Sequence, residues 1–94
     1  MIQSRVLSET DAQALQAEVR ASKGVLAWTI YDCPSDYPAH YVARPFDVCA
    51  GVKPYLAVLL SEDIAWLRQV FQRMGLYCIT RDEDDDQPVV ETWI

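Results

Sequence analysis

The chain contains 94 residues, of which 51% are hydrophobic and 23% are charged, and its formal net charge at pH 7 is −6. This length and composition predict one domain spanning residues 1–94, because a chain of this size supports a single hydrophobic core. The acidic balance argues against direct binding to nucleic acid or to an anionic membrane surface, since both require a basic surface.

Targeting signals and cysteine spacing bear on the compartment. The first residues do not combine a positively charged start with an apolar run, so the sequence predicts no secretory signal. The apolar runs fall short of the ~20 residues that a membrane-spanning helix requires. The three cysteines, Cys33, Cys49 and Cys78, show no CxxC spacing, and we expect them to remain reduced in a cytoplasmic protein.

Residues 1–24 are predicted to form an N-terminal helical segment. Apolar and polar residues alternate at its start, a pattern that favours a short strand. Ser8 or Thr10 then caps a helix that ends near Ser22, and Thr10 with Gln13 fits a capping box. The apolar stripe of this helix is thin and consists of Ala12, Leu15 and Val19.

Residues 25–46 predict a β-hairpin whose loop is rich in proline and aspartate. Its strands are expected at 25–31 and 39–46. In the first strand every second residue is large and apolar, so one face is expected in the core: Leu26, Trp28 and Ile30. Pro45 has no amide hydrogen, so we expect the second strand at a sheet edge or a bulge. Arg44 beside it is expected to face solvent or to pair with Glu91 or Asp47.

Residues 54–80 carry the clearest pattern in the chain, a strand, a helix and a second strand. The run YLAVLL at 55–60 is almost entirely apolar, which is typical of a buried strand. Ser61 is the predicted N-cap of the helix, and Gly75 is expected in the left-handed conformation after its last turn. The buried stripe is predicted to contain Ile64, Leu67, Val70, Phe71 and Met74. The opposite face is predicted to contain Arg68, Gln69, Gln72 and Arg73.

The C-terminal region predicts a second hairpin with strands at 76–80 and 89–94. Between them lie five consecutive acids that a core cannot accommodate: Asp82, Glu83, Asp84, Asp85 and Asp86. The last strand is expected near a sheet edge, because it closes a hairpin at the end of the sequence. An exposed apolar edge favours pairing with another strand, so a homodimer through residues 89–94 is one alternative that the sequence leaves open.

Together these elements predict an α+β domain. An N-terminal helix, two β-hairpins and a central strand-helix-strand unit are expected to form a mixed, mostly antiparallel sheet of four to five strands. We expect the helices on one face, since this arrangement buries all the apolar stripes together. Residues 1–24 form the N-terminal helical segment, and residues 25–94 form the core of sheet and helix.

Two stretches of the chain carry a resemblance. The segments TIYDCPSDYPAHYVARPF at 29–46 and DDDQPVVETWI at 84–94 are similar to a group of short uncharacterised bacterial proteins. Members of that group share an IYDxPxDYP segment, a VAR segment and a C-terminal DDxP-VVExW segment. Gln87 interrupts the DDP pattern here. The group has no assigned activity, so the resemblance implies a bacterial or prophage origin and adds no site residues.

Few residues point to chemistry. Cys33 and His40 are the pair that a small cysteine-dependent enzyme would use, but no motif for an orienting group or an oxyanion site accompanies them. Cys33, His40 and Cys49 together could supply ligands for a metal ion, but their spacing matches no zinc signature. The acids at 82–86 lack the alternate spacing and the glycine turn of a calcium loop. We therefore predict no catalytic residue, no metal site and no cofactor.

The functional prediction depends on charge and on aromatic side chains. The acidic run suits a basic surface of another protein, and surplus aromatic residues are typical of binding surfaces. The candidate partner-binding residues are Asp82, Glu83, Asp84, Asp85, Asp86, Tyr37, Tyr41 and Trp93. We predict a non-enzymatic protein-interaction module. One alternative is a phage-encoded inhibitor, of the anti-CRISPR or anti-restriction kind, that mimics nucleic acid; a second is a small enzyme that uses Cys33 and His40.

Overall fold

A computed structural model of the protein describes residues 5–50, 53–80 and 89–94. Within these residues the chain forms two α-helices, seven β-strands and one 3-10 helix. In chain order the elements are β1 (Arg5–Val6), α1 (Glu9–Ala21), β2 (Leu26–Asp32), β3 (Tyr41–Asp47), the 3-10 helix (Val48–Ala50), β4 (Lys53–Pro54), β5 (Ala57–Ser61), α2 (Ile64–Arg73), β6 (Cys78–Thr80) and β7 (Val89–Trp93).

The seven strands form one mixed sheet in the order β1-β5-β3-β2-β7-β6, with β4 paired to the end of β3. β1 runs parallel to β5, and the other pairs are antiparallel. The predicted α+β class and both predicted hairpins are therefore confirmed. The predicted strand number of four to five is too low, because two strands of two residues each, β1 and β4, also join the sheet.

Both helices contact the same side chain of the sheet, Trp28 in β2. The indole Nε1 of Trp28 donates to Gln16 Oε1 of α1 at 3.1 Å, and its ring centroid lies 5.5 Å from that of Phe71 in α2. The Phe71 ring lies 5.8 Å from that of Trp93 in β7. The predicted core face of β2 is confirmed, since all of its members are buried: Leu26, Trp28 and Ile30.

The helix α1 begins with a capping box formed by Ser8 and Asp11. Ser8 Oγ accepts from the amide of Asp11 at 3.1 Å, and the Asp11 carboxylate accepts from the amide of Ser8 at 3.2 Å. Thr10 lies inside the first turn, so the predicted pairing of Thr10 with Gln13 is wrong. An aspartate here takes the place of the usual glutamate or glutamine. α1 has thirteen residues, and neither helix in the described part of the chain is long and apolar enough to cross a membrane.

The helix α2 begins two residues later than predicted. Its N-cap is Asp63, whose Oδ1 accepts from the amide of Ala65 at 2.9 Å. Ser61, the cap that the sequence favours, ends β5 instead, and its Oγ accepts from the amide of Asp63 at 3.0 Å. Serine and aspartate suit an N-cap equally well, so local propensity does not choose between the two positions.

The end of α2 confirms the role predicted for Gly75. This glycine has a φ of 79°, a left-handed conformation that strains residues with a Cβ atom. The amide of Leu76 donates to Phe71 O, and the amide of Gly75 donates to Gln72 O, both at 3.0 Å. These two bonds form a Schellman motif, which satisfies the last carbonyls of the helix. The chain thereby turns back, and Leu76 is buried in the core.

The strand β3 is internal, which contradicts the edge position predicted from Pro45. β2 pairs with β3 along its whole length, and on the other side β3 pairs with β5 and then with β4. Pro45 lies at the junction between β5 and β4, and its carbonyl accepts from the amide of Tyr55 at 3.2 Å. The amide and carbonyl of a strand residue point the same way. The nitrogen of Pro45 therefore faces this junction, where neither β4 nor β5 pairs with it.

The strand β7 is also internal, so the edge position predicted for residues 89–94 is wrong. β7 lies between β2 and β6, with Trp93 opposite Trp28 on one side and opposite Cys78 on the other. The three-residue strand β6 covers β7 and forms the edge of the sheet. A homodimer that pairs residues 89–94 would therefore require β6 to be displaced.

Candidate functional site

The five acids predicted to bind a partner lie outside the described residues: Asp82, Glu83, Asp84, Asp85 and Asp86. The structure describes the strands before and after them. Thr80 in β6 lies opposite Glu91 in β7, and Glu91 lies opposite Ile30 in β2. Val89, the first described residue after the acids, lies opposite Tyr31. Thr80 and Val89, the described residues on either side of the acidic run, therefore both lie at the end of the sheet where β2 finishes.

Tyr37 and Tyr41 lie at this same end of the sheet. Tyr41 begins β3 opposite Asp32, the last residue of β2, and packs partly against the core. Tyr37 lies half-buried in the loop between β2 and β3, where its amide donates to Pro34 O at 2.9 Å. The two tyrosines thus lie at the same end of the domain as Thr80 and Val89, the described residues that flank the acidic run.

Trp93 does not belong to this surface. It is only 5% exposed, and its ring packs on Phe71. Trp93 lies opposite Trp28 near the start of β2, whereas Tyr41 lies opposite the last residue of β2. The two positions are separated by about 13 Å along the strand. Trp93 is a core residue, so its inclusion among the partner-binding residues is a wrong prediction.

Cys33 and His40 meet across the β2–β3 loop through backbone atoms. The amide of Cys33 donates to the carbonyl of His40 at 3.0 Å. A hydrogen bond with Asp32 raises the pKa of the exposed Cys33 thiol, and the Asp32 charge adds to this shift. A raised pKa lowers the thiolate fraction at neutral pH, whereas a nucleophilic cysteine requires the opposite shift. This geometry gives no support to catalysis by the pair.

The conceivable metal set of Cys33, His40 and Cys49 is divided between the two ends of the first hairpin. Cys33 directly follows β2, whereas Cys49 follows β3 at the other end, where Asp47 lies opposite Leu26. The ends of β2 are about 20 Å apart, which is too far for ligands of one ion. Among the described residues, no group of three His, Cys, Asp or Glu side chains is placed to hold a metal ion.

One carboxylate is buried between α2 and the sheet. Glu91 in β7 is 8% exposed, and both of its oxygens accept from Arg68 of α2. Arg68 Nε lies 2.7 Å from Oε1, and Nη2 lies 3.2 Å from Oε2. Trp93 Nε1 donates to the same Oε1 at 3.1 Å. The thiol of Cys78 on β6 interacts electrostatically with this carboxylate.

These partners keep Glu91 ionised. Burial alone raises the pKa of Glu91, but hydrogen bonds from Arg68 and Trp93, with the Arg68 charge, outweigh burial and lower the pKa below its ordinary value. Burial and the Glu91 charge raise the pKa of the Cys78 thiol. Both carboxylate oxygens are occupied by donors from the chain itself. We therefore assign the cluster to structure, as the polar link between α2 and β7.

The sequence does carry a signal for this ion pair. Arg68 follows Ile64 by four positions and precedes Phe71 by three, a spacing that sets it beside the buried stripe. Because Arg68 pairs with the buried Glu91 in the structure, the prediction that it lies on the face opposite to the stripe is wrong. Glu91 alternates with Trp93 along β7, so the strand period of two places both on one face, which the structure shows to be the core face.

Arg44 forms a second polar cluster on the other face of the sheet. Its guanidinium pairs with Asp36 of the β2–β3 loop and lies 5.6 Å from the ring centroid of Tyr31. Glu91 and Asp47, its predicted partners, project from the core face, whereas Arg44 projects from the opposite face. The IYDxPxDYP and VAR segments thus meet in space, and the ion pair holds the loop against the sheet.

Among the described residues, ion pairs within the chain engage four arginines. The pairs are Arg5–Asp11, Arg44–Asp36, Arg68–Glu91 and Arg73–Glu9. Each pair sets one positive charge beside one negative charge, so the pair as a whole is neutral. The net charge of −6 therefore resides on groups outside these pairs, among which acids outnumber bases.

Apolar side chains are exposed at both edges of the sheet. Ile79 in β6 is 50% exposed, and Tyr77 just before this strand is 80% exposed. At the other edge, Val6 in β1 and Leu56 before β5 are also exposed. The sequence does not distinguish these residues from core residues, because their exposure follows from the order of the strands.

Comparison with known proteins adds no family to this description. No protein-family model matches the chain, and neither a curated protein nor a solved structure matches it. The candidate site is therefore defined by its own geometry and charge.

Proposed function

We propose that the protein is a non-enzymatic interaction module of bacterial or prophage type, which acts in the cytoplasm and binds a basic surface of another protein. The observation that carries this proposal is that Thr80 and Val89, the described residues on either side of the acidic run, lie at the end of the sheet where Tyr41 begins β3. The loop that carries Tyr37 lies at this same end of the sheet.

The internal ion pairs support a basic partner. In the described part of the chain they engage four arginines, each of which is already paired with an acid of the same chain: Arg5, Arg44, Arg68 and Arg73. Lysine and arginine on a partner complement the acids that remain, and such complementarity mainly raises the rate of association. Tyr37 and Tyr41 contribute amphipathic aromatic groups beside the charge, a combination that is common at interfaces.

A phage-encoded inhibitor is the second candidate function. Five consecutive carboxylates at 82–86 present closely spaced negative charge, which imitates the phosphates of a nucleic acid. An anti-CRISPR or anti-restriction protein of this kind would occupy the nucleic-acid site of its target. This candidate is a special case of the first, with the partner restricted to proteins that bind DNA or RNA. An enzyme that uses Cys33 and His40 is less well supported, because the pKa of the Cys33 thiol is raised.

Charge removal at the acidic run tests the proposal. Asp84→Asn/Asp85→Asn removes two charges from the run, and Glu18→Gln/Glu62→Gln removes two exposed charges elsewhere. Both variants and the wild type are immobilised and exposed to bacterial lysate, and each captured protein is then purified for kinetic measurement. We expect the first variant to slow association and the second to leave it unchanged. The difference should shrink as salt reduces the Debye length from about 10 Å at 0.1 M to about 3 Å at 1 M.

Two results would contradict the proposal. One is capture of the same proteins with the same association rates by the wild type and the Asp84→Asn/Asp85→Asn variant. The other is a partner with no basic surface. Competition by a short DNA duplex separates the two candidate functions, because DNA displaces a nucleic-acid mimic from its target but leaves other interactions intact.

A further inference from the structure

A groove lies between the second half of α1 and the turn that follows α2. It has a volume of about 340 Å³, and α1 contributes two polar side chains to its wall, Gln16 and Arg20. The same two side chains line an adjoining recess of about 180 Å³ together with Met74. They lie four positions apart in the helix, so they are neighbours on one of its faces. The groove and the recess therefore meet at Gln16 and Arg20.

The remaining wall of this groove is largely apolar. Leu26 at the start of β2 and Leu76 after α2 line the groove and are also buried in the core. Val25 and Tyr77 line it too, yet they are 40% and 80% exposed. A ligand with an apolar body that contacts Val25 and Tyr77 would remove this apolar surface from water, which favours binding.

The side-chain amide of Gln16 has a fixed orientation. Its Oε1 accepts from Trp28 Nε1 at 3.1 Å, and an indole nitrogen can only donate, so the amide oxygen faces Trp28. The amide nitrogen Nε2 and its two hydrogens therefore point elsewhere. In the part of the chain that the structure describes, no group accepts from this nitrogen. Gln16 thus brings an available hydrogen-bond donor to the wall of the groove.

Arg20 adds a positive charge beside this donor. The other arginines in the described residues each pair with an acid, whereas no acid among the described residues pairs with Arg20. Its position in the last turn of α1 also suits the helix dipole. The dipole accounts for a positive charge at Arg20, but it does not account for the available donor of Gln16 next to it. A guanidinium and an amide nitrogen side by side match the oxygens of a carboxylate.

We propose that this groove binds a small monocarboxylic acid with an apolar body. The carboxylate accepts from the guanidinium of Arg20 and from Gln16 Nε2, and the apolar body lies against Leu76 and Tyr77. A single carboxylate is favoured over a polyanion, because the net charge of −6 repels a multiply charged ligand more strongly. The volume of the groove is within the range of small-molecule sites.

This groove is separate from the surface that is proposed to bind a protein. Leu26, which lines the groove, begins β2, whereas Tyr41 lies opposite Asp32 at the far end of the same strand. The inference therefore goes beyond the proposed interaction module and does not depend on it.

Titration of the whole chain with hexanoate, followed by the NMR shifts of its backbone amides, tests this proposal. We expect a dissociation constant on the order of 1 mM, with the largest shifts at Val25, Leu76 and Tyr77. Acetate keeps the charge without the apolar body, and hexanamide keeps the body without the charge. Each should bind at least about tenfold more weakly than hexanoate. Equal affinity for either control, or shifts that spare the groove, would overturn the proposal.

Three variants test the two donors separately. Arg20→Gln should raise the dissociation constant of hexanoate about tenfold. Lys23→Gln removes the same charge from a residue outside the described lining of the groove, and it should change the constant less than about twofold. Gln16→Glu keeps an oxygen for Trp28 Nε1 but replaces the donor with a carboxylate oxygen, so it should abolish binding. The dispersion of the amide signals verifies that each variant is folded. Equal effects of Arg20→Gln and Lys23→Gln, or unchanged binding by Gln16→Glu, would refute the site.

Discussion

Arg68 of α2 and Glu91 of β7 form a two-point ion pair in which the arginine is 44% exposed and the carboxylate is buried. The pair connects a helix to a strand that follows it by 23 positions in the chain. Removal of the arginine leaves a buried negative charge with fewer donors, and an incompletely paired buried charge is costly. The stability of the domain should therefore depend on this surface arginine.

Arg68→Ala is expected to lower the free energy of unfolding by about 1.5 kcal/mol. The carboxylate of Glu91 loses two charged hydrogen bonds but keeps the bond from Trp93, and water on the exposed side of Arg68 limits the loss. Urea denaturation measures the change. Gln69→Ala, at the next and exposed position of α2, is the control and should cost less than about 0.5 kcal/mol. Equal losses in the two variants would show that the ion pair contributes nothing.

The same pair should make stability depend on pH. The pKa of Glu91 is lowered in the folded protein, so its carboxylate stabilises the fold at pH values above the unfolded pKa of about 4.3. This contribution is lost as the pH falls through the lower, folded pKa, where the folded carboxylate takes up its proton. Denaturation curves across this range should show a steep loss for the wild type and a shallower one for Glu91→Gln. An identical pH profile in the variant would disprove the assignment.

Phe71→Ala is expected to lower the free energy of unfolding by about 3–5 kcal/mol. Phe71 is fully buried between the rings of Trp28 and Trp93, so truncation opens a cavity at the centre of the core. Because two tryptophans line that cavity, their fluorescence should shift to longer wavelength in any folded fraction. Gln72→Ala changes the adjacent exposed residue and should leave both the stability and the emission unchanged. A small loss for Phe71→Ala would show that the core closes around the gap.

Signals within a few neighbouring residues predicted most of the elements. The alternation of Leu26, Trp28 and Ile30 predicted the buried face of β2, and the spacing of Leu67, Val70 and Phe71 predicted that of α2. Gly75 predicted the left-handed end of α2, because few other residues tolerate this conformation. Such patterns arise from the geometry of a single helix or strand, so they can be recognised in the sequence without knowledge of the fold.

Where two local signals compete, the neighbouring residues alone do not predict which of them the structure follows. Ser61 and Asp63 are both good caps, and the choice of Asp63 depends on where β5 ends against β3. Pro45 predicts an edge strand, yet β3 is internal, because the gap between β4 and β5 receives the proline nitrogen. In both places the neighbouring strands decide the outcome.

The sequence by itself determined the α+β class, the two hairpins, the core faces and the acidic charge of this protein. Only the tertiary structure decided that Trp93 is buried, that Arg68 pairs with Glu91, and that β6 forms an edge of the sheet. Helical and strand periods arise from neighbouring residues, so the sequence displays them directly. Strand order and ion pairs arise from contacts between residues far apart in the chain, and these are selected by the packing of the whole domain.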